Sequence, residues 1–300
     1  MSTRIKILIV ICCMAALPSC SAIKRTLTKD KSVPDIPASS LSEIYHPQGT
    51  LEDAFCPCSC KGPSQRRMLV YLPAGYSDGS ESYPVLYLIH GARGNETSWI
   101  KDGNVLHAID SLQRCGLARK SIVVMMNMNQ YDDDEDYANS RFKYVHEVLT
   151  EIDGAVESTF VHDVVGYVES HYRAVPDKNH RAIAGLSVGA FQTIYISATS
   201  PDTFGYVGLF SPFYKKLTKK SDYSEFYTQL LEKQKVQFSD PPQMYLIMIG
   251  LHDFFINHVE YFRRYLDKYG FKYQYMEAKG GGHDWNTWTM FFDSFYQKLF

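Results

Sequence analysis

Few features of this 300-residue chain point to a charged or membrane-buried partner. There is no basic excess: 31 Lys and Arg stand against 33 Asp and Glu, a formal net charge of -2. A nucleic-acid binder usually shows a basic surplus or stripe, so that class is excluded. No apolar run reaches bilayer-spanning length; the longest opening one, Ile7 to Leu17, is too short for a transmembrane helix. There is no internal repeat. Paired Cys-x-x-Cys or His partners at zinc spacing are missing, and Cys56, Cys58 and Cys60 at intervals of two do not replace them. The acidic run Asp132 to Asp136 lacks the calcium-loop signature, because Tyr137 falls where Gly is needed and Lys143 where Glu is needed. That run reads as a solvated loop. No metal and no cofactor is expected. With 45 % hydrophobic residues the chain has enough apolar material for a sizeable core.

The N-terminus has export features. Arg4 and Lys6 precede the apolar run, and Leu17-Pro18-Ser19-Cys20 resembles a lipoprotein cleavage box, with Cys20 as the lipidated residue of the mature chain. Residues 1–19 are then a leader, and residues 20–48, rich in Ser, Lys, Thr and Pro, a flexible spacer. Loss of Arg4 and Lys6 makes the mature chain two charges more acidic. Cys56, Cys58, Cys60 and Cys115 remain; residues two apart make a poor disulfide, and a bridge to Cys115 is one option.

From about residue 49 to 300, strand-like and helix-like segments alternate. Unbroken apolar runs at Arg66–Leu72, Val85–His90, Ser121–Met126, Ala182–Gly185 and Met244–Ile249 fit strands buried on both faces. Helical spacing covers Phe160–Tyr172, Val188–Ala198, Asn257–Tyr269 and Trp285–Leu299, with a further strand at Lys272–Glu277. The expected class is α/β, one domain with a mainly parallel sheet and helices on both faces. Sites in such sheets form at the carboxyl ends of the strands.

Gly185-Leu186-Ser187-Val188-Gly189 is a Gly-x-Ser-x-Gly sequence between a strand and a helix. The sharp turn projects Ser187 clear of the sheet at a helix N-terminus, where free N–H groups favour developing negative charge. A serine hydroxyl needs a base. His283, after Gly280-Gly281-Gly282, is the leading choice, with His252 and His258 as rivals. Asp253, just past an apolar strand, is the leading acid, and Asp284 its rival. Oxyanion donors are expected from the N–H of Val188 and from the loop after His90, with Ala92 preferred and Arg93 next.

These pieces resemble the esterase D / feruloyl esterase family of α/β-hydrolases, which includes acetylxylan esterases, S-formylglutathione hydrolases and mycolyltransferases. The resemblance spans residues 49–300 and rests on Arg67 to Tyr76, Tyr83 to Gly91, Trp99, Arg181 to Gly189, Gly250-x-x-Asp253 and Gly281-Gly282-His283-Asp284-Trp285-Asn286-x-Trp288. It implies the α/β-hydrolase fold, with Ser187 as nucleophile, Asp253 as acid and His283 as base. Val188 and Ala190 depart from the family's usual Met and Gly, though Val188 keeps its N–H. Trp99, Trp285 and Trp288 are candidate substrate contacts, since aromatic faces suit sugar rings and phenolic acyl groups. The expected activity is hydrolysis of feruloyl- or acetyl-type esters on plant polysaccharides or oligosaccharides, by an exported enzyme lipid-anchored to a bacterial outer membrane. Acyl transfer, S-formylglutathione hydrolysis and non-catalytic carbohydrate binding are the alternatives. Oligomeric state is not legible.

Overall fold

The computed structural model describes residues 36–59, 64–128, 155–214 and 224–300. The expected leader, Cys20, Cys60 and the acidic run lie outside these residues. Eight strands form one sheet: β1 (Thr50–Pro57), β2 (Gln65–Leu72), β3 (Val85–Ile89), β4 (Ile122–Met126), β5 (Arg181–Leu186), β6 (Tyr206–Phe210), β7 (Met244–Gly250) and β8 (Gln274–Ala278). Their spatial order is β1-β2-β4-β3-β5-β6-β7-β8. β2 is antiparallel to β1 and β4; every pairing from β4 through β3 to β8 is parallel. This is the expected mainly parallel α/β sheet.

Side-chain alternation explains why the central strands read as continuous apolar runs. On β3, Val85, Tyr87 and Ile89 join one buried cluster, whereas Leu86 and Leu88 join the other. Both faces are covered, so neither set of positions can be polar. The first face packs against α4 (Ala155–Phe160), α6 (Val188–Thr199) and α8 (Ile256–Tyr269) through residues such as Phe160, Ile194 and Phe262. The second packs against α1 (Ala38–Tyr45), α3 (Val105–Arg114) and α9 (Trp285–Tyr296) through Leu41, Leu106 and Phe295. Three further helices are α2 (Ser98–Lys101), α5 (Gly166–His171) and α7 (Ser224–Gln237).

Two expectations need correction, and one is sharpened. The spacer was placed at residues 20–48, but its last third folds: Ala38 and Leu41, one helical turn apart, bury against the β1–β2 end of the sheet. The Ala38 N–H donates to Asp53 Oδ2 (2.9 Å) and the Gln48 N–H to Asp110 Oδ2 (2.8 Å). Its Ser-rich composition hid two well-spaced apolar residues. The expected helical stretch over Phe160–Tyr172 is present and begins earlier, with α4 and α5 joined by a π-helical turn at Val161–Val165. And Cys58 is disulfide-bonded while Cys56 and Cys115 are free thiols, so the bridge does not run to Cys115.

Candidate active site

The turn after β5 carries Ser187 at φ 55, ψ -116, outside the helical and extended regions. A non-glycine residue there is strained by about 1–3 kcal/mol and persists only where its surroundings enforce it. Here the Ser187 N–H donates to the Phe210 carbonyl at the end of β6 (2.8 Å). The flanking glycines are required by close approach: a Cβ on Gly185 would sit 2.3 Å from the Gly189 carbonyl oxygen, and one on Gly189 2.1 Å from that of His90. The Gly-x-Ser-x-Gly spacing is therefore the packing condition for the turn.

His283 lies on the loop between β8 and α9. Its Nε2 is 3.0 Å from Ser187 Oγ, and its Nδ1 is 3.0 and 2.9 Å from the two carboxylate oxygens of Asp253. Asp253 is 1 % exposed, and its Oδ1 also accepts the Phe255 N–H (2.7 Å). The loops that carry Asp253 and His283 are joined directly: the Leu251 N–H donates to Ala278 O and the His252 N–H to Gly281 O, both at 2.9 Å. The loops approach so closely that a Cβ on Gly250 would lie 2.2 Å from the Gly281 carbonyl oxygen. The rivals stand elsewhere. Asp284 accepts the Thr287 N–H (2.9 Å) and caps α9; His258, on α8, meets the Tyr214 carbonyl (3.1 Å); the His252 side chain is exposed.

The imidazole of His283 is packed among aromatic rings. Phe255 and Trp288 approach edge-on at 4.9 Å between ring centroids, and Phe254 lies at 4.2 Å. Trp288 is fixed in turn by its indole N–H, which donates to Ser211 Oγ (2.9 Å), a group fully buried behind the site. The buried, edge-on rings of Phe255 and Trp288 lock the His283 rotamer and hold its imidazole between Asp253 and Ser187, whereas Phe254 is exposed.

The opposite wall is the loop after β3, where Ala92 and Arg93 face the cleft. Val188 opens α6, where helix geometry leaves the first N–H groups without an intrahelical acceptor. His90, 4 % exposed, orders this loop. Its Nε2 accepts the Met128 N–H (3.0 Å), so Nδ1 carries the proton and donates to the Gly91 carbonyl (2.8 Å). In a trans peptide this fixes the direction of the Ala92 N–H, antiparallel to that carbonyl. Burial pushes the His90 imidazole down to about 4, so it is neutral. Further along, Arg67 on β2 donates through Nη1 to the buried Glu96 (2.6 Å), through Nε and Nη2 to Asp53 (3.0 and 2.6 Å), and to the Ile36 carbonyl.

The cleft measures about 240 Å³ and is lined by Gly91, Ala92, Arg93, Gly94, Ser98, Asp102, Leu186, Ser187, Trp285 and Trp288. Two of the three expected tryptophan contacts thus reach it. Trp99 does not: it is 1 % exposed, donates its indole N–H to the Ile89 carbonyl (3.1 Å), and packs edge-on behind Trp285 at 5.4 Å. It is a core residue supporting a cleft residue. Sequence reasoning missed Arg67, Glu96 and the rings of Phe254 and Phe255. The adjacency of both phenylalanines to Asp253 was the available signal for the last two.

A strained serine after a central strand and a histidine bridging it to a buried aspartate form an arrangement suited to activating a serine hydroxyl on an α/β sheet. Residues 61–295 match the family described as "Putative esterase", and the chain belongs to that family. Over 238 residues it is 29 % identical to the endo-1,4-beta-xylanase/feruloyl esterase of Xylanibacter ruminicola; the match covers 77 % of this chain and 29 % of that protein, so the chain spans under a third of that relative's length. In fold it resembles the ferulic acid esterase of Anaeromyces mucronatus (TM-score 0.66, 23 % identity, covering 84 % of this chain and 90 % of that one). It also resembles the feruloyl esterase module of Clostridium thermocellum in complex with sinapinate (TM-score 0.64, 18 % identity, covering 93 % and 96 %).

Proposed function

We propose that the protein hydrolyses ester-linked acyl groups, of feruloyl or acetyl type, on plant polysaccharides or oligosaccharides. The observation that carries the reading is the continuous hydrogen-bonded path from Ser187 Oγ through His283 to Asp253. In acylation, His283 Nε2 takes the hydroxyl proton as Ser187 Oγ attacks the ester carbonyl carbon, and Asp253 stabilises the imidazolium through Nδ1–H. The N–H groups of Ala92 and Val188 receive the oxyanion; a single such donor contributes about 3 kcal/mol to the transition state. The tetrahedral adduct collapses, the imidazolium gives its proton to the departing alcohol, and the acyl group remains on Ser187. Water, deprotonated by the same imidazole, then releases the acid and restores the serine.

Trp285 and Trp288 supply aromatic surface for the substrate, and the polar groups of Arg93, Ser98 and Asp102 suit hydroxyl-bearing partners. The polysaccharide reading is supported by the similarity to the Xylanibacter protein, whose name couples a xylanase to a feruloyl esterase. Lipidation at Cys20 would hold the enzyme at the outer membrane; a Cys20→Ala variant should then leave the membrane fraction for the soluble one. Activity is tested with methyl ferulate, acetylated xylan and short nitrophenyl esters on the purified chain. Turnover of the nitrophenyl esters with neither of the other two would remove the carbohydrate assignment and leave a general esterase.

A further inference from the structure

The loop that carries Asp253 exposes apolar surface beside the catalytic imidazole. Among the described residues six large hydrophobic side chains are exposed, and two of them, Leu251 (37 %) and Phe254 (62 %), belong to this one short loop. Phe254 is not on a frayed segment. The Asp253 N–H donates to Gly250 O (3.1 Å), the Phe255 N–H to Asp253 Oδ1 (2.7 Å) and the Ile256 N–H to Asp253 O (3.0 Å), so the backbone on both sides is pinned. The same turn sends Phe255 inward, 4 % exposed, and Phe254 outward. The outward ring rests on His283 with centroids 4.2 Å apart and planes at 41°, and it is not among the cleft-lining residues.

The chemistry of the proposed reaction says what passes this ring. The departing alcohol oxygen takes its proton from His283 Nε2, so it must come within hydrogen-bond reach of that atom. Whatever hangs from the oxygen leaves the site beside the imidazole, while the acyl carbon stays on Ser187. We infer that Phe254 is a specificity-determining contact for the alcohol portion of the ester, its open face receiving the ring of a sugar or an aryl alcohol. The inference rests on the esterase reading above but not on which acyl group is cleaved. A flat, pre-positioned ring stacks without ordering cost, and contacts of this type are worth about fivefold in rate or affinity. Because the alcohol is gone before water attacks, Phe254 acts in acylation alone.

The test varies the alcohol at constant acyl group, in wild type and in Phe254→Ala, Phe254→Leu and Phe254→Tyr. One pair is a feruloylated arabinoside against methyl ferulate; the other is phenyl acetate against vinyl acetate. The expected result is an approximately fivefold fall in the ring-to-small-alcohol ratio of kcat/KM in the Ala variant. A partial fall is expected with Leu, which keeps apolar area without a flat face, and retention with Tyr. Decay of the acyl-enzyme in single turnover should match wild type in every variant. An unchanged ratio would overturn the inference. So would slowed deacylation or a displaced acid limb of the kcat/KM–pH profile, either of which would assign Phe254 to supporting His283. If wild type cleaves the acetates but neither ferulate, the feruloyl reading falls while the acetate pair still decides on Phe254; if it cleaves none, both fall. Since Phe254 is largely solvent-exposed, its truncation does not threaten folding.

Discussion

The two walls flanking Ser187 are built by different physics. The wall after β3 is a polar network: His90 is bonded at both ring nitrogens, and Arg67 joins Glu96, Asp53 and Ile36. The wall formed by the loops after β7 and β8 relies on glycine-to-backbone contact and on the rings of Phe255 and Trp288 packed against His283. The first wall must hold backbone N–H groups in a fixed direction, which hydrogen bonds to peptide groups do well. The second must hold an imidazole whose two nitrogens are both engaged, which aromatic packing does without competing for them.

Breaking the polar wall should have the larger thermodynamic effect. Arg67→Met leaves Glu96, 1 % exposed, without that guanidinium. Removing one partner of a buried ion pair costs about 4 kcal/mol, so denaturant unfolding should show a loss of that order. The same variant should lower kcat more than it raises KM, because Glu96 lies on the loop that carries Ala92. Equal stability in Arg67→Met would show that the network is not what holds this wall.

The polar wall should also carry a pH signature in stability. His90 is held at about 4 in the folded chain against an ordinary value of 6.5. Below 6.5 the unfolded chain binds a proton that the folded chain refuses, so stability falls as pH drops from 6.5 towards 4. The full difference is about 3 kcal/mol. His90→Asn, which can still donate to the Gly91 carbonyl, should flatten that part of the stability–pH curve relative to wild type. Parallel curves for the two proteins would contradict the assignment.

On the other wall, Gly250→Ala is expected to act on rate with less effect on stability. Its Cβ would meet the Gly281 carbonyl at 2.2 Å, so the loop of Asp253 must separate from that of His283. Displacements near 1 Å in a catalytic constellation cost about a hundredfold, and kcat/KM should fall by that order while circular dichroism stays native. An undiminished kcat/KM would mean that the Asp253–His283 alignment tolerates the shift.

The two walls also differ in how far they could be read from sequence. Ser187, Asp253, His283 and the glycines around them fall in short motifs, because local turn geometry dictates residue type at fixed spacing. β3, β4, β5 and β7 were legible as apolar runs because both their faces are buried. The Arg67–Glu96 pair is not legible in sequence: the two lie 29 residues apart, and each alone reads as a solvated charge. β6, interrupted by Gly208, and β1, whose Glu52 and Asp53 dilute its pattern, lacked a run long enough to notice. Trp99 was misplaced because a tryptophan near a catalytic motif looks the same whether it faces the cleft or, as here, backs another tryptophan.

The central claim is that Ser187, activated by His283, is the nucleophile. The direct test is hydrolysis of 4-nitrophenyl acetate by Ser187→Ala, with folding followed by circular dichroism. Loss of turnover to the uncatalysed level in a native-like protein is the expected result. Retained turnover would contradict the account.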